Sequence, residues 1–299
     1  MRTVYLGTSE FAAAVLERLA ASRHRPELVV TRPDRPRGRG RRVTPPPVAL
    51  TARELGIEVD QPASVNDADA RARITQAAPD VVVVCAFGAL IKEELLAAHR
   101  ILNVHPSLLP RWRGAAPIER AIMAGDSTTG VSIMELTAGL DSGPVCLEES
   151  EPITPQDTYG TLAERLQGVG GDLLVRALGE SPPCSPQDDA GATYADKITS
   201  ADRELDPGRP AADLERVVRA LTPHIGAYVT LSDGTPLGVR EARVGPPAQA
   251  GAVEIPKGLV SFDAPLPVLA TADGTLELVV VQPPGKRPMP GGDYLRGRR

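Results

Sequence analysis

The stretch DVVVVCAF, residues 80–87, carries four consecutive valines with no polar alternation. β-branched side chains favour strands, and a strand without a polar face has to be covered on both sides. The neighbouring sequence supplies covers. TVYLG reads as a strand, and SEFAAAVLERLAAS as a helix with Phe11, Val15, Leu16 and Leu19 at helical spacing and Ser9 as N-cap. Strands PELVVT, IEVDQP and ILNVH then alternate with helical segments PVALTARELG, DADARARITQAA, ALIKEELLAAH and APIERAIMAG. This alternation predicts an α/β unit, a mostly parallel sheet with helices on both faces.

The pattern changes after GVSIMEL. DSGPVCLEESEPI reads as a short antiparallel excursion, followed by a helix over TYGTLAERLQGVGGDLLVRAL. Residues 184–208 are rich in Pro, Asp, Ser and Gly and read as a linker. Beyond them, DLERVVRAL is a short helix. GAYVTLSDG, PLGVREARV, GAVEI, GLVSF and LPVLATADGTLELVVVQPP are strand-like, with SDG and ADG as hairpin turns. The expected division is a catalytic domain at 1–183, the linker, and a small β-barrel of oligonucleotide-binding size at 209–299.

At 299 residues, 42% of them hydrophobic, the chain can bury about two cores. Neither a signal-peptide pattern nor a membrane-length apolar run is visible, so the expected location is the cytoplasm, away from membranes. Cys85, Cys146 and Cys184 are far apart with no CxxC pair, and reduced thiols are expected. The histidines His24, His99, His105 and His224 lack metal-ligand spacing, so no metal is expected. Phosphate-loop, nucleophile-elbow and dinucleotide-fingerprint motifs are absent. The net charge of −5 hides a cluster between Arg32 and Arg42, where six arginines face one aspartate. Almost nothing there can be buried, so an exposed, mobile loop is expected. Its arginines are either a solvated charge run or contacts for a polyanion.

The chemistry concentrates in NVHPSLLPRWRG, residues 103–114. Asn103 and His105 share one face of a strand, roughly 6–7 Å apart, at the carboxyl end where open α/β sheets bind ligands. Pro106 biases His105 toward an extended backbone. An amide donor beside an imidazole can stabilise a developing oxyanion and move a proton, which suits addition to a carbonyl, although polar residues at strand ends also cap loops. Asp141, in AGLDSGPV, is the natural carboxylate partner of the imidazole. Ser107, next to His105, is a weaker nucleophile candidate. Trp112 either packs beneath the loop or stacks on a ligand ring.

Residues 103–145, NVHPSLLPRWRGAAPIERAIMAGDSTTGVSIMELTAGLDSGPV, resemble the folate-dependent formyltransferase family, marked by Asn-x-His, an SLLPxxxG loop and a distant Asp. GTSEF, TRPDRPRGRGRR, TYADKI and QPPGK extend the similarity over nearly the whole chain, toward the branch that acts on aminoacylated tRNA. The resemblance implies a Rossmann-like catalytic domain and transfer of a formyl group from 10-formyltetrahydrofolate to the amino group of methionyl initiator tRNA, with no metal. Asn103, His105 and Asp141 would be catalytic. Phe87, Gly88, Ser107, Leu108, Leu109 and Pro110 would hold the folate. Arg35, Arg37, Arg39, Arg41 and Arg42 would contact tRNA. No obligatory protein partner is expected, in keeping with a monomer. Two rivals are an N-formyltransferase acting on a nucleotide sugar and a tRNA-binding module without catalysis. A sugar enzyme needs neither the arginine loop nor a barrel, and the presence of the three site residues speaks against the module.

Overall fold

The computed structural model describes residues 1–37, 42–245, 260–262 and 264–297. It divides into two compact units. One comprises Met1–Pro117, Thr128–Pro152 and Ala163–Ala195; the other comprises Ile118–Ser127, Ile153–Leu162 and Asp196–Arg299.

The first unit opens with β1 (Thr3–Gly7), α1 (Glu10–Ala20), β2 (Pro26–Val30) and a hairpin of β3 (Arg35–Arg37) and β4 (Arg42–Thr44). Next come α2 (Pro47–Glu54), β5 (Glu58–Asp60), α3 (Ala68–Gln76), β6 (Val81–Cys85), α4 (Glu93–Ala98), β7 (Ile101–His105) and β8 (Arg113–Gly114). After α5 (Pro117–Ala124) the chain forms β9 (Thr128–Glu135), β10 (Val145–Pro152), α6 (Tyr159–Glu180) and β11 (Tyr194–Ala195). The main sheet has the order β10-β9-β7-β6-β1-β2-β5. From β5 to β7 it is parallel, while β9 and β10 run antiparallel at one edge. β1 and β6 are buried along their whole length, as uninterrupted apolar strands require. The Ser9 hydroxyl accepts the Ala12 amide and caps α1. Chain order reverses between β1 and β6, which opens a crevice at their carboxyl ends.

Two expectations are corrected. The arginine segment is not simply a loop: Arg35–Arg37 and Arg42–Thr44 pair as an antiparallel ladder, while residues 38–41 lie outside the described residues. Cys146 and Cys184 are not free thiols but a disulfide, because β10 and the chain after α6 pair at Val145 and Ser185. Cys85 is buried and free, and burial pushes its thiol up to about 12. Residues up to Ala195 belong to the first unit, where β11 pairs with β8, and those from Asp196 belong to the second.

The second unit contains α7 (Ala211–Leu221), β12 (Ala227–Thr230), β13 (Pro236–Val244), β14 (Val260–Ser261), β15 (Val268–Ala270), β16 (Thr275–Gln282), β17 (Met289–Pro290) and α8 (Gly291–Arg296). The strands form an antiparallel sheet in the order β12-β13-β16-β15-β14, with β17 against β16. Among the described residues no ladder joins β12 to β14. Leu214, Val217, Val218 and Leu221 of α7 pack on Val239, Leu276, Leu278 and Val281 of the sheet. GAVEI lies outside the described residues. Among those described, no helix is long and apolar enough to cross a membrane.

Arg120 of α5 reaches Asp202 at 2.6 Å, and the Thr199 amide and hydroxyl each donate to the same carboxylate at 2.8 Å. Burial opposes ionisation of Asp202, yet these bonds outweigh it and bring the carboxyl down to about 2. The folded value lies below the unfolded one, so the stabilisation is present above about pH 4 and is lost as pH falls through about 2. Asp202→Asn should cost about 2 kcal/mol at pH 7 and much less at pH 2, as read from urea unfolding at both pH values.

Candidate active site

β7 presents Asn103 and His105 on one face at its carboxyl end, both buried. The chain leaves β9 beside the start of β7 and doubles back to bring Asp141 over this face. Asp141 adopts φ 44, the left-handed region that is costly for a non-glycine residue. Its carboxylate accepts the Gly114 amide at 2.8 Å and the Asn103 side-chain amide at 3.4 Å, and lies 3.7 Å from His105 Nδ1. Asn103, His105 and Asp141 therefore converge.

The second ring nitrogen of His105 is held by a backbone carbonyl. Nε2 lies 2.9 Å from the Trp112 carbonyl oxygen, which can only accept, so Nε2 carries hydrogen and Nδ1 is the nitrogen that faces Asp141. A proton arriving at Nδ1 would create an ion pair with Asp141 in a site where Asp141 is 13% and His105 5% exposed. Trp112 holds φ 62, its amide donates to Thr193 Oγ1 at 2.9 Å, and the Arg111 guanidinium covers its ring at 4.4 Å from the centroid. Trp112 thus serves His105 through its backbone.

The loop Ser107–Pro110 follows directly. Ser107 is fully buried and its hydroxyl donates to the Arg111 carbonyl at 2.6 Å, so the oxygen is engaged in shaping the turn. Leu109 is buried, while Leu108 and Pro110 are half-buried. Sequence reasoning missed Ser132, which pairs with His105 across β7 and β9. Its hydroxyl accepts the Leu109 amide at 3.1 Å and lies 2.7 Å from both the Ser107 carbonyl and the Glu148 carboxylate. The signal was one polar residue inside the apolar run VSIM. Phe87 is buried in the core, with its carbonyl accepting from the Thr8 hydroxyl at 2.9 Å across the β1–β6 crevice. Gly88, Ala89 and Leu90 are exposed, and Gly88 sits at φ 69.

A cleft of about 370 Å³ adjoins Asp141, lined by Arg113, Leu140, Ser142, Asp189, Ala192 and Tyr194. Leu140 and Tyr194 are largely exposed there. A larger hollow of 720 Å³ lies at the opposite, amino end of the strands between Arg2, Glu27, Glu58 and Arg73. It brings no reactive groups together, since Arg73 is paired with Glu58 and Asp60. Arg35 is exposed on its strand. Arg37 and Arg42 are placed by backbone alone, and Arg39 and Arg41 lie outside the described residues.

Residues 1–178 match the formyl transferase family and residues 197–299 match the formyl transferase C-terminal domain. Methionyl-tRNA formyltransferase of Halorhodospira halophila is 44% identical across all of this chain and 96% of that protein. The Aromatoleum aromaticum enzyme of the same name is 42% identical over 99% of this chain and 94% of its own length. Among solved structures, HypX from Aquifex aeolicus in complex with tetrahydrofolic acid shares the fold, with TM-score 0.63 and 18% identity over 99% of this chain and 47% of that one. The chain belongs to the formyl transferase family.

The turn that carries Asp141 is tightly packed, because a methyl group at Gly143 would overlap the Glu135 carbonyl oxygen. Gly143→Ala should destabilise the protein by about 1–3 kcal/mol. Gly168→Ala, in α6 where the added methyl would meet no atom within 4 Å beyond its chain neighbours and the helix backbone, should stabilise it. Denaturant titration of the two variants checks both signs.

Proposed function

We propose that this protein transfers the formyl group of 10-formyltetrahydrofolate to the α-amino group of methionyl initiator tRNA. The convergence of Asn103, His105 and Asp141 at the end of β7 carries the reading. The Asn103 amide donates to the oxygen that becomes negative as the amine adds to the formyl carbon, in a buried setting where such a bond is strong. His105 Nδ1 accepts the proton released by the amine, Asp141 balances the resulting charge, and the proton would pass to the folate N10 as the bond between that nitrogen and the formyl carbon breaks and tetrahydrofolate leaves. Nε2 remains bonded to the Trp112 carbonyl and keeps the ring in place.

The residues present suit a folate. The exposed backbone of Gly88, Ala89 and Leu90 offers donors and acceptors to a heterocycle edge, Leu108 and Pro110 offer apolar contact, and the cleft beside Leu140 and Tyr194 is open to solvent. When bound there, the folate supplies the activated formyl carbon. Phe87, Ser107 and Leu109 support this surface from beneath. No step requires a metal. The tRNA side of the reading rests on charge. Six arginines within Arg32–Arg42 in a chain of net charge −5 make one strongly cationic segment, and phosphate contacts position a nucleic acid without reading sequence. An amino sugar has no use for such a segment. A translation-linked, cytoplasmic role follows from this substrate.

The test is single-turnover formylation with 10-formyltetrahydrofolate and methionyl-tRNA, beside an amino-sugar nucleotide as competitor acceptor. Formylation of the sugar but not of the tRNA would overturn the proposal. His105→Ala should lower kcat by about 10²–10⁴-fold and Asn103→Ala by about 10²–10³-fold, both with circular dichroism unchanged. Full activity in the first variant would remove the base from His105. Replacing Arg35, Arg37, Arg39, Arg41 and Arg42 by alanine should raise KM for tRNA about tenfold or more and flatten its salt dependence by about 0.9 per lost phosphate contact. KM for the folate should stay the same; an equal rise in both would make the segment structural.

A further inference from the structure

We infer that Gln187 is a positioning residue for Asp141, acting from a segment whose composition marks it as a linker. This rests on the catalytic role proposed for Asp141. Gln187 Nε2 donates to the Asp141 carbonyl oxygen at 2.8 Å and to the Gly143 carbonyl oxygen at 2.7 Å. Its Oε1 accepts from Arg113 Nε at 3.0 Å and Nη2 at 2.9 Å. Both amide hydrogens and both oxygen lone pairs are therefore used. The flipped amide would set its oxygen against two carbonyls and its NH₂ against a guanidinium, so this network has one solution.

The contacts close a ring. Arg113 is 4% exposed and precedes Gly114, whose amide holds the Asp141 carboxylate. Gln187 thus grips the backbone on one side of the reacting carboxylate and, through Arg113, the strand that supplies its other donor. Asp141 sits at φ 44, a conformation that persists only where its surroundings impose it, and the two Gln187 bonds are imposed from outside the turn. The grip is itself anchored. Val145 and Ser185 exchange backbone hydrogen bonds at 2.9 and 2.8 Å, Cys184 is bonded to Cys146, and Asp189 holds the free edge of Arg113 at 2.8 Å. A side chain three residues past a disulfide, with its NH₂ matched to the 141–143 turn and its oxygen to Arg113, has a defined task.

Two variants separate positioning from general support. Gln187→Leu removes all four bonds. Gln187→Glu keeps an acceptor for Arg113 but turns oxygen toward the two carbonyls. The reporter is the Gly114 amide, bonded to Asp141; the control is the Ala115 amide, bonded to the Ala195 carbonyl at 2.8 Å. In both variants hydrogen exchange at Gly114 should accelerate about tenfold or more while Ala115 stays within about twofold, and kcat should fall roughly 100-fold with KM little changed, as for a small misplacement of a reacting group. Unchanged Gly114 exchange in Gln187→Glu, or equal acceleration of both amides, would overturn the inference. If Gln187→Leu does not fold, Gln187→Glu decides alone. If the wild-type protein transfers no formyl group while Gly114 still responds, the functional reading fails and the positioning role stands.

Discussion

One carboxylate organises the candidate active site. Asp141 accepts the Gly114 amide, touches Asn103 and faces His105 from a left-handed turn that its own chain does not favour. Three stretches of chain meet at this group, and each is shaped to reach it. β7 carries the amide and the imidazole on one face, the 103–114 segment curls back so that Gly114 points its amide inward, and the chain after β9 returns across the sheet. Without the carboxylate, the half-buried Gly114 amide would lose its acceptor, at a cost of about 1–3 kcal/mol if it were left unsatisfied.

The immediate neighbours explain why such a costly turn persists. His105 is held at its far nitrogen by a backbone carbonyl, so ring orientation comes from one bond. Ser132 ties the Ser107–Pro110 loop to β9 by its hydroxyl, and Glu148 approaches from β10. The antiparallel pair β9–β10 at the edge of a parallel sheet is thus the frame on which both loops hang. A parallel strand in its place would deliver its loops to the opposite end of the sheet.

The second unit follows a different logic. Its apolar core is made by α7 against an antiparallel sheet, and its polar anchoring depends on chain segments drawn from between the strands of the first. Arg120 of α5 binds Asp202 and the Asp196 carbonyl, and Glu119 meets His224, whose ring stacks on Tyr159 at 3.6 Å. Sequence neighbours therefore serve different units.

Local patterning made most of the architecture legible. Apolar runs without alternation identified β1 and β6, helical spacing and Ser9 identified α1, and a polar pair two residues apart at the end of ILNVH identified one wall of the site. These features depend on periods of two or 3.6 residues, which a linear sequence displays directly. What it could not display is pairing over distance: the Cys146–Cys184 disulfide, Ser132 beneath the loop, and Gln187 against Asp141 and Arg113. Nothing in the letters sets buried Arg113 apart from exposed Arg111, or Gln187 from its polar neighbours. Residue order was enough to assign strands and helices and to name the side chains able to do chemistry. Which of them meet came from the fold, because hydrogen bonds between side chains and distant backbone depend on how sheet order and loop paths bring remote segments within about 3 Å.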